Sequence, residues 1–290
     1  MKGILLAGGH GTRLRPMTAV TSKQLLPVYD KPMVYYPLST LIQAGIREVL
    51  LISSGKDIGN YEQLLGDGSR IGLEISYIVQ KRPEGLPQAF LLAEDFIGQD
   101  SVTLVLGDNV FFGSEIPDLL SKAVKSTKSG FCNLFGSIVP DPERFGVAEI
   151  SPDGAIISIE EKPDKPRSNI AVTGLYMYNN DVISIAKELV PSERGELEIS
   201  DLNMHYVRQK KARLITLGER SEWFDSGTPN SLHIASEVVM TNQRKNGEII
   251  GCIEKVAYDM GFISKSELAD ISKEFPDSSE YGRFLRYAVE

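Results

Sequence analysis

Three short apolar runs, at residues 3–7, 49–53 and 102–106, are nearly continuous and bounded by glycine or charge. A strand that is apolar without alternation has both faces covered, and sheets covered on both faces are mostly built from parallel strands. Between the runs lie longer segments with helical spacing at residues 37–44, 61–65 and 87–96. Parallel strands need a crossover, usually a helix lying on the sheet. The order therefore constrains the chain to βαβ units around a mostly parallel sheet. Residues 74–79 alternate apolar with polar side chains and add a further strand.

The pattern changes after about residue 130. Residues 131–139, 147–150 and 156–160 read as strands, the last two joined by Ser151-Pro152-Asp153-Gly154. An Asp-Gly between two such runs is a strong hairpin signal. Residues 171–178 and 213–217 read as two more strands, residues 182–189 and 200–210 as helices, and the chain is helical from Thr228 to about Arg244. The remainder of the chain is mixed and polar, with no repeat, low-complexity tract or linker. With 290 residues, 42% of them hydrophobic, the chain is long enough to bury a core without staples. The expectation is one α/β domain with inserted strands and a C-terminal extension.

Cys132 and Cys252 make neither a disulfide framework nor a Cys-rich zinc site, and are read as free thiols of a reducing compartment. No apolar run approaches the roughly 18 residues of a membrane span. The stretch before Gly8 is too short for the core of a signal peptide, so a cytoplasmic protein without membrane partners is expected. The net charge of −8 argues against a nucleic-acid binder. Its distribution is uneven, because up to Lys31 the chain carries five basic residues against Asp30 alone. A cationic, glycine-rich start on an acidic protein fits a small anionic ligand better than a polyanion.

The first strand runs into Gly8-Gly9-His10-Gly11-Thr12-Arg13-Leu14-Arg15-Pro16. Glycines directly after a buried strand let backbone N–H groups converge on an anion with no Cβ in the way. No Gly-Lys-Ser/Thr follows, which excludes a Walker A loop, and Leu14 stands where the dinucleotide fingerprint needs its third glycine. Arg13 and Lys23 can supply cations to a polyphosphate and Thr12 a hydroxyl donor. Asp108 falls just beyond a buried strand, where open α/β sheets place their ligands. By itself it is open between a Mg²⁺ ligand, a ribose ligand and a helix cap. Asp225, in Trp223-Phe224-Asp225-Ser226-Gly227, stands just before an expected helix and is open between a cap and a second metal carboxylate. Two such carboxylates suit Mg²⁺, whose remaining ligands are phosphate oxygens and water. In Glu160-Glu161-Lys162-Pro163, Lys162 can bind a second phosphate and Glu161 can accept hydrogen bonds from sugar hydroxyls; the alternative is a solvated strand end. Other chemistries are poorly supported. His10, His205 and His233 lack zinc-hydrolase spacing, no Gly-x-Ser-x-Gly elbow occurs, and there is no Asp-x-Asp.

Leu6-Ala7-Gly8-Gly9, Gly11-Thr12-Arg13-Leu14, Pro16 and Lys23 before Leu26-Pro27 together resemble the signature of the sugar-1-phosphate nucleotidyltransferases. The resemblance continues through Tyr29-Asp30-Lys31-Pro32-Met33, Leu65-Gly66-Asp67-Gly68, Leu106-Gly107-Asp108-Asn109, Glu160-Glu161-Lys162-Pro163, Val172-Thr173-Gly174-Leu175-Tyr176 and Gly195-Glu196-Leu197-Glu198-Ile199. It covers essentially the whole chain and points to those members that join dTTP to glucose 1-phosphate, giving dTDP-glucose and pyrophosphate.

The resemblance implies a Rossmann-like nucleotide-diphospho-sugar transferase fold with inserted sugar-binding strands and a C-terminal helical extension. It implies a nucleotide-binding part over about 1–130, a sugar-binding part over about 131–227, and assembly contacts over 228–290. Gly8, Gly9, Gly11, Thr12 and Arg13 would surround the triphosphate, with Lys23 on the phosphates and Gln24 near the nucleotide. Gln80 and Gly85 would read the base edge. Gly146, Glu161, Val172 and Tyr176 would line the sugar pocket, Lys162 would grip the sugar phosphate, and Asp108 and Asp225 would hold Mg²⁺. Arg13, Lys162 and Asp108 would carry the chemistry.

The family further implies a homotetramer, feedback by a deoxysugar nucleotide at a subunit interface, and a place at the start of dTDP-deoxysugar synthesis. The usual destination is dTDP-rhamnose for cell-surface polysaccharide. Two alternatives stand beside this reading, a UTP-preferring uridylyltransferase and a non-catalytic nucleotide-sugar sensor. Three residues depart from the family's pattern: His10 in the glycine loop, Arg15 where an aromatic is common, and Pro87 where alanine is usual.

Overall fold

In a computed structural model describing residues 1–9 and 11–290, the chain opens on β1 (Lys2–Ala7), which is buried from Gly3 to Ala7. His10 lies outside the described residues. A small hairpin of β2 (Pro27–Val28) and β3 (Lys31–Pro32) comes next, then α1 (Tyr35–Gln43) and β4 (Glu48–Ser53). After these stand α2 (Ile58–Leu65), β5 (Glu74–Val79), the short helices α3 (Gln88–Leu92) and α4 (Glu94–Ile97), and β6 (Val102–Leu106). The three apolar runs are parallel strands as expected, and the structure orders them with β1 between β4 and β6 and β5 extending the row beyond β4. The helical stretch expected over 87–96 divides in two because Ala93 leaves the helical region (ψ +10°).

The second half begins with β7 (Asn109–Gly113) and α5 (Ile116–Lys128), neither of which the sequence patterns mark. Then β8 (Cys132–Ile138), β9 (Gly146–Ile150), β10 (Ile156–Glu161) and β11 (Ile170–Tyr178) extend the sheet. The Asp153-Gly154 hairpin forms between β9 and β10, with Gly154 at φ +83°. Long β11 is the hinge of the sheet: it runs antiparallel to β6, β8 and β9. All nine of its residues are buried, so it ties the parallel half to the inserted strands. After α6 (Val182–Glu188) and α7 (Ile199–Arg208), β12 (Ala212–Thr216) pairs parallel with β8, and β13 (Ser221–Asp225) pairs antiparallel with β7.

The helix expected from Thr228 is α8 (Pro229–Asn246). Thr228 and Ser231 form a reciprocal capping box, Pro229 occupies the first turn, and Gly247 ends the helix at φ +70°. Each of these is a local signal at the position where helix chemistry calls for it. The stretch beyond, read only as mixed and polar, forms α9 (Ile253–Asp259), α10 (Lys265–Ser272) and α11 (Glu280–Tyr287). Their apolar residues Ile253, Ala257, Leu268 and Leu285 join the same buried cluster as Leu5, Leu41 and Val105. No helix among the described residues is long and apolar enough to cross a membrane.

One buried polar contact ties α9 to α11 within this extension. Glu254 is fully buried, and its Oε2 accepts a 2.5 Å hydrogen bond from the Tyr281 hydroxyl, while an Arg70 guanidinium nitrogen stands 3.5 Å from Oε1. Removing the donor and leaving the carboxylate costs more than the bond itself contributes. Tyr281→Phe is therefore expected to destabilise the protein by about 1–3 kcal/mol, read as a lowered urea midpoint at unchanged m-value.

Candidate active site

The carboxyl ends of β1 and β6 open onto two adjoining pockets. On one side lies a cavity of about 220 Å³ whose wall includes Gly8, Gly9, Gln24, Gln80, Gly85 and Asp108. On the other lies one of about 330 Å³ whose wall includes Arg13, Asp108, Gly146, Glu161, Lys162 and Asp225. Asp108 faces both.

Glycine is required in the loop after β1 for steric reasons. A Cβ on Gly8 would stand 2.5 Å from Gln80 Oε1, and one on Gly11, which has φ +55°, would stand 2.9 Å from Thr18 Cγ2. Thr12 to Leu14 turn tightly, with Leu14 buried as the anchor and Thr12 and Arg13 left exposed. Gln24 is buried and engaged at both ends of its amide. Its Nε2 donates to the Gly8 carbonyl at 3.2 Å, and its Oε1 accepts from the Ser22 hydroxyl at 2.6 Å. It shapes the floor of the loop from beneath.

Lys23 is buried and donates to Asp108 Oδ2, with its Nζ 4.0 Å from Asp225 Oδ1. The two carboxylates meet because β7 and β13 pair, with Asn109 opposite Asp225. Asn109 secures the corner: its Nδ2 donates to Asp108 Oδ1 at 2.9 Å, while its Oδ1 accepts from Gly174 N–H at 2.9 Å and from the Trp223 indole at 2.6 Å. Asp225 is thus a strand-end residue, one register position from Asp108, rather than the helix cap its sequence neighbourhood allowed.

Burial pushes the Asp108 carboxyl up, but the Lys23 ammonium and the hydrogen bonds from Lys23 and Asn109 outweigh it and hold it below the usual range. Asp225 is pushed up by burial and by the Asp108 charge, against the pull of Lys23, Arg13 and Arg144. The Lys23 ammonium serves both carboxylates and Arg144 stands 3.8 Å from Asp225, so the pair is held ionised with oxygen lone pairs left over. That donor set, with only 21% and 19% of the two side chains exposed, fits a small divalent cation that keeps other oxygen ligands. Among the described residues no group of three or more His, Cys, Asp or Glu side chains could hold a metal.

Strand register builds the other pocket. Gly146 on β9 lies opposite Glu161 on β10 and opposite Val172 on β11, so three residues far apart in sequence share one rung. Glu161 Oε2 accepts from the Ser200 hydroxyl at 2.7 Å, and a Cβ on Gly146 would come within 3.1 Å of that hydroxyl. Lys162 ends β10 in the left-handed region at φ +44°, with its N–H bonded to the Phe145 carbonyl at 2.9 Å. Holding a lysine there costs local strain, of the kind often found at ligand sites. Tyr176 is buried and stacks on Tyr178 with centroids 6.2 Å apart, and burial pushes its hydroxyl well above the usual phenol range.

Two arginines here carry no assignment from the sequence patterns. Arg144 lies 3.8 Å from Asp225 and is braced by Asp141 at 2.5 Å. Nothing in its sequence surroundings marks it. Arg194 stands 3.1 Å from both Glu196 and Glu198, on a strap that includes the Gly195-Glu196-Leu197 motif. That strap touches both pockets: Glu196 lines each of them, and Leu197 N–H donates to the Glu84 carbonyl at 2.8 Å. Gly85, at φ +103°, pairs with Leu197 so closely that a Cβ would lie 2.0 Å from the Leu197 oxygen. Of the departing residues, Arg15 is exposed and Pro87 is buried as the N-cap of α3.

A model of the nucleotidyl transferase family matches residues 2–242. The chain is 48% identical over 285 residues to the glucose-1-phosphate thymidylyltransferase of Neisseria meningitidis serogroup A, covering 98% of each protein. It is 46% identical over 290 residues to that of Mycobacterium tuberculosis, covering 100% of this chain and 99% of the relative. Among solved structures, it resembles a Bacillus anthracis protein described as a glucose-1-phosphate thymidylyltransferase, crystallised with sucrose. The TM-score is 0.76 at 42% identity, over 82% of this chain and 94% of the other. A UDP-glucose pyrophosphorylase complexed with UDP-glucose matches at TM-score 0.70 and 26% identity, over 83% of this chain and 98% of the other.

Proposed function

The chain belongs to the nucleotidyl transferase family, and on that premise we propose that it transfers the thymidylyl group of dTTP to glucose 1-phosphate. The observation that carries this is the full-length likeness to thymidylyltransferases, 48% identity over 98% of each chain in the Neisseria pair. The site geometry supports it: a glycine-walled pocket and a sugar-sized pocket meet at Asp108. The reaction is an in-line displacement. A phosphate oxygen of glucose 1-phosphate bonds to the α-phosphorus of dTTP, the bond from that phosphorus to the bridging oxygen breaks, and pyrophosphate leaves with the electron pair. The attacking phosphate is already an anion, so no strong base is needed; the difficulty is bringing two anions together.

Arg13 and Lys162 offset that repulsion from the 330 Å³ pocket they both line. Gly8, Gly9, Gly11 and Thr12 present backbone N–H groups to the triphosphate, and Gln80 and Gly85 bound the pocket for the base. Lys23 orients Asp108 and shares its charge with Asp225. Mg²⁺ held by Asp108 and Asp225 would neutralise charge on the phosphate oxygens. Gly146, Glu161, Val172 and Tyr176 form the wall for glucose. Residues 1–227 then make the catalytic α/β unit, and residues 228–290 an extension that carries the contacts of a homotetramer and of a feedback nucleotide sugar.

The test is pyrophosphate release from glucose 1-phosphate with each nucleoside triphosphate in turn. Release is expected with dTTP, abolished by EDTA and restored by Mg²⁺. dUTP differs from dTTP by the C5 methyl alone, worth about 1–3 kcal/mol in an apolar pocket, and is expected to be turned over roughly 10- to 200-fold less efficiently; UTP, which carries a 2′-hydroxyl as well, is compared beside it. Preference for UTP would make the chain a uridylyltransferase. Tight dTDP-glucose binding without turnover of any nucleotide would make it a sensor.

A further inference from the structure

Gln88, which no comparison and no motif singles out, opens α3 behind the base-side pocket. Two unambiguous partners fix the orientation of its amide. Its Oε1 accepts from the Glu84 backbone N–H at 3.1 Å, which only an oxygen can do, and its Nε2 donates to the Glu84 carboxylate at 2.8 Å. That same Oε1 meets Gln80 at 2.7 Å, so the Gln80 atom facing it must be the donor Nε2. The Gln80 Oε1 is thereby turned the other way, over Gly8, where it lies 2.5 Å from the place a Cβ would take. Gln80 itself is 7% exposed, and among the described residues no donor reaches its Oε1.

We propose that Gln88 is a positioning residue that sets the base specificity of the site by forcing Gln80 to present a carbonyl oxygen to the base. The inference rests on the thymidylyl-transfer reading above. Thymine and uracil carry a hydrogen on N3 and can donate to such an oxygen. Cytosine carries a lone pair on N3, and there the two acceptors repel. Without Gln88 the Gln80 amide has lost the acceptor that holds its Nε2 and can turn over. It then offers N–H to the pocket, which cytosine N3 can accept. Pro87, fixed at φ −60° as the residue before Gln88, holds the start of α3 in place.

The experiment compares kcat/KM for dTTP and CTP, at saturating glucose 1-phosphate, in the full chain and two variants. The wild type is expected to prefer dTTP by at least about 10²-fold, since a buried polar group left facing the wrong partner discriminates strongly. Gln88→Leu is expected to lower that preference about tenfold or more by losing on dTTP and gaining on CTP, with KM for glucose 1-phosphate unchanged. The paired exchange Gln88→Glu with Glu84→Gln keeps an oxygen at position 88 that accepts from Gln80 Nε2 and from the backbone N–H of residue 84, while the amide at position 84 now supplies the donor, and should keep the wild-type preference within about threefold. A purely structural role would depress both nucleotides equally, so an unchanged dTTP-to-CTP ratio in Gln88→Leu overturns the inference. So does a collapse of the ratio in the paired exchange of Gln88→Glu with Glu84→Gln. Should Gln88→Leu be too slow to assay, calorimetric affinities for dTTP and CTP give the same ratio without turnover. If the wild type releases no pyrophosphate with either nucleotide, the activity reading fails first, and the inference falls with it.

Discussion

Arg13→Ala is expected to lower kcat by about 10²- to 10³-fold at saturating dTTP, glucose 1-phosphate and Mg²⁺, the usual cost of removing one preorganised charge from a transition state. The side chain is exposed, so its truncation leaves the core intact and the melting temperature close to that of the wild type. Its place explains the size of the effect. A guanidinium nitrogen lies 2.9 Å from where a Gly227 Cβ would stand, beside Asp225, in the pocket shared with Lys162 and Asp108. In the proposed reaction that is where the two phosphates approach each other. Lysine at position 13 would keep a charge but lose the planar fork that meets two oxygens at once, so Arg13→Lys should recover only part of the rate. Stopped-time pyrophosphate release measures all three proteins. A rate for Arg13→Ala within a few-fold of the wild type sinks the assignment.

The second large effect is expected at Gly85. A valine there would place its Cβ 2.0 Å from the Leu197 oxygen and 2.7 Å from the Leu197 nitrogen, on a backbone held at φ +103°. Backbone cannot yield as a flexible side-chain end does, so the loop over residues 80–88 and the strap over 192–200 must part. Both pockets depend on that junction: the loop walls the nucleotide side, and the strap leads into Ser200, which holds Glu161. Gly85→Val should therefore raise KM for dTTP and for glucose 1-phosphate together, by about tenfold or more, and cost about 1–3 kcal/mol of stability. Initial-rate matrices over both substrates, with urea unfolding, make the measurement. A rise confined to dTTP would mean that Gly85 serves the base alone and that the strap carries no shared load.

Much of the candidate site was legible because its residues sit at strand ends. A buried strand, a glycine turn and a cation form a local pattern, and β1 with its loop fits it. Asp108 was legible for the same reason, β6 being short and apolar up to Leu106. Arg144 and Ser200 were not, since an arginine in a turn and a serine opening a helix look the same in sequence whether or not they face a ligand. Gln88 was hidden more deeply. Its role lies in which end of its amide points where, and only the Glu84 N–H and carboxylate decide that.

The same division runs through the fold. Sequence alone determined the elements whose signal is local: the parallel run of β4, β1 and β6, the Asp153-Gly154 hairpin, and α8 with its Thr228 cap and Gly247 stop. Periodicity, turn residues and caps act within a few residues, so the chain states them openly. Only the tertiary structure decided that Asn109–Gly113 pairs with Ser221–Asp225, that Gly146, Glu161 and Val172 share a rung, and that the last three helices close on the main core. Those outcomes depend on strand register and on which apolar faces meet, quantities set by packing between distant segments. The site lies where those long-range choices converge, with one ammonium between two carboxylates.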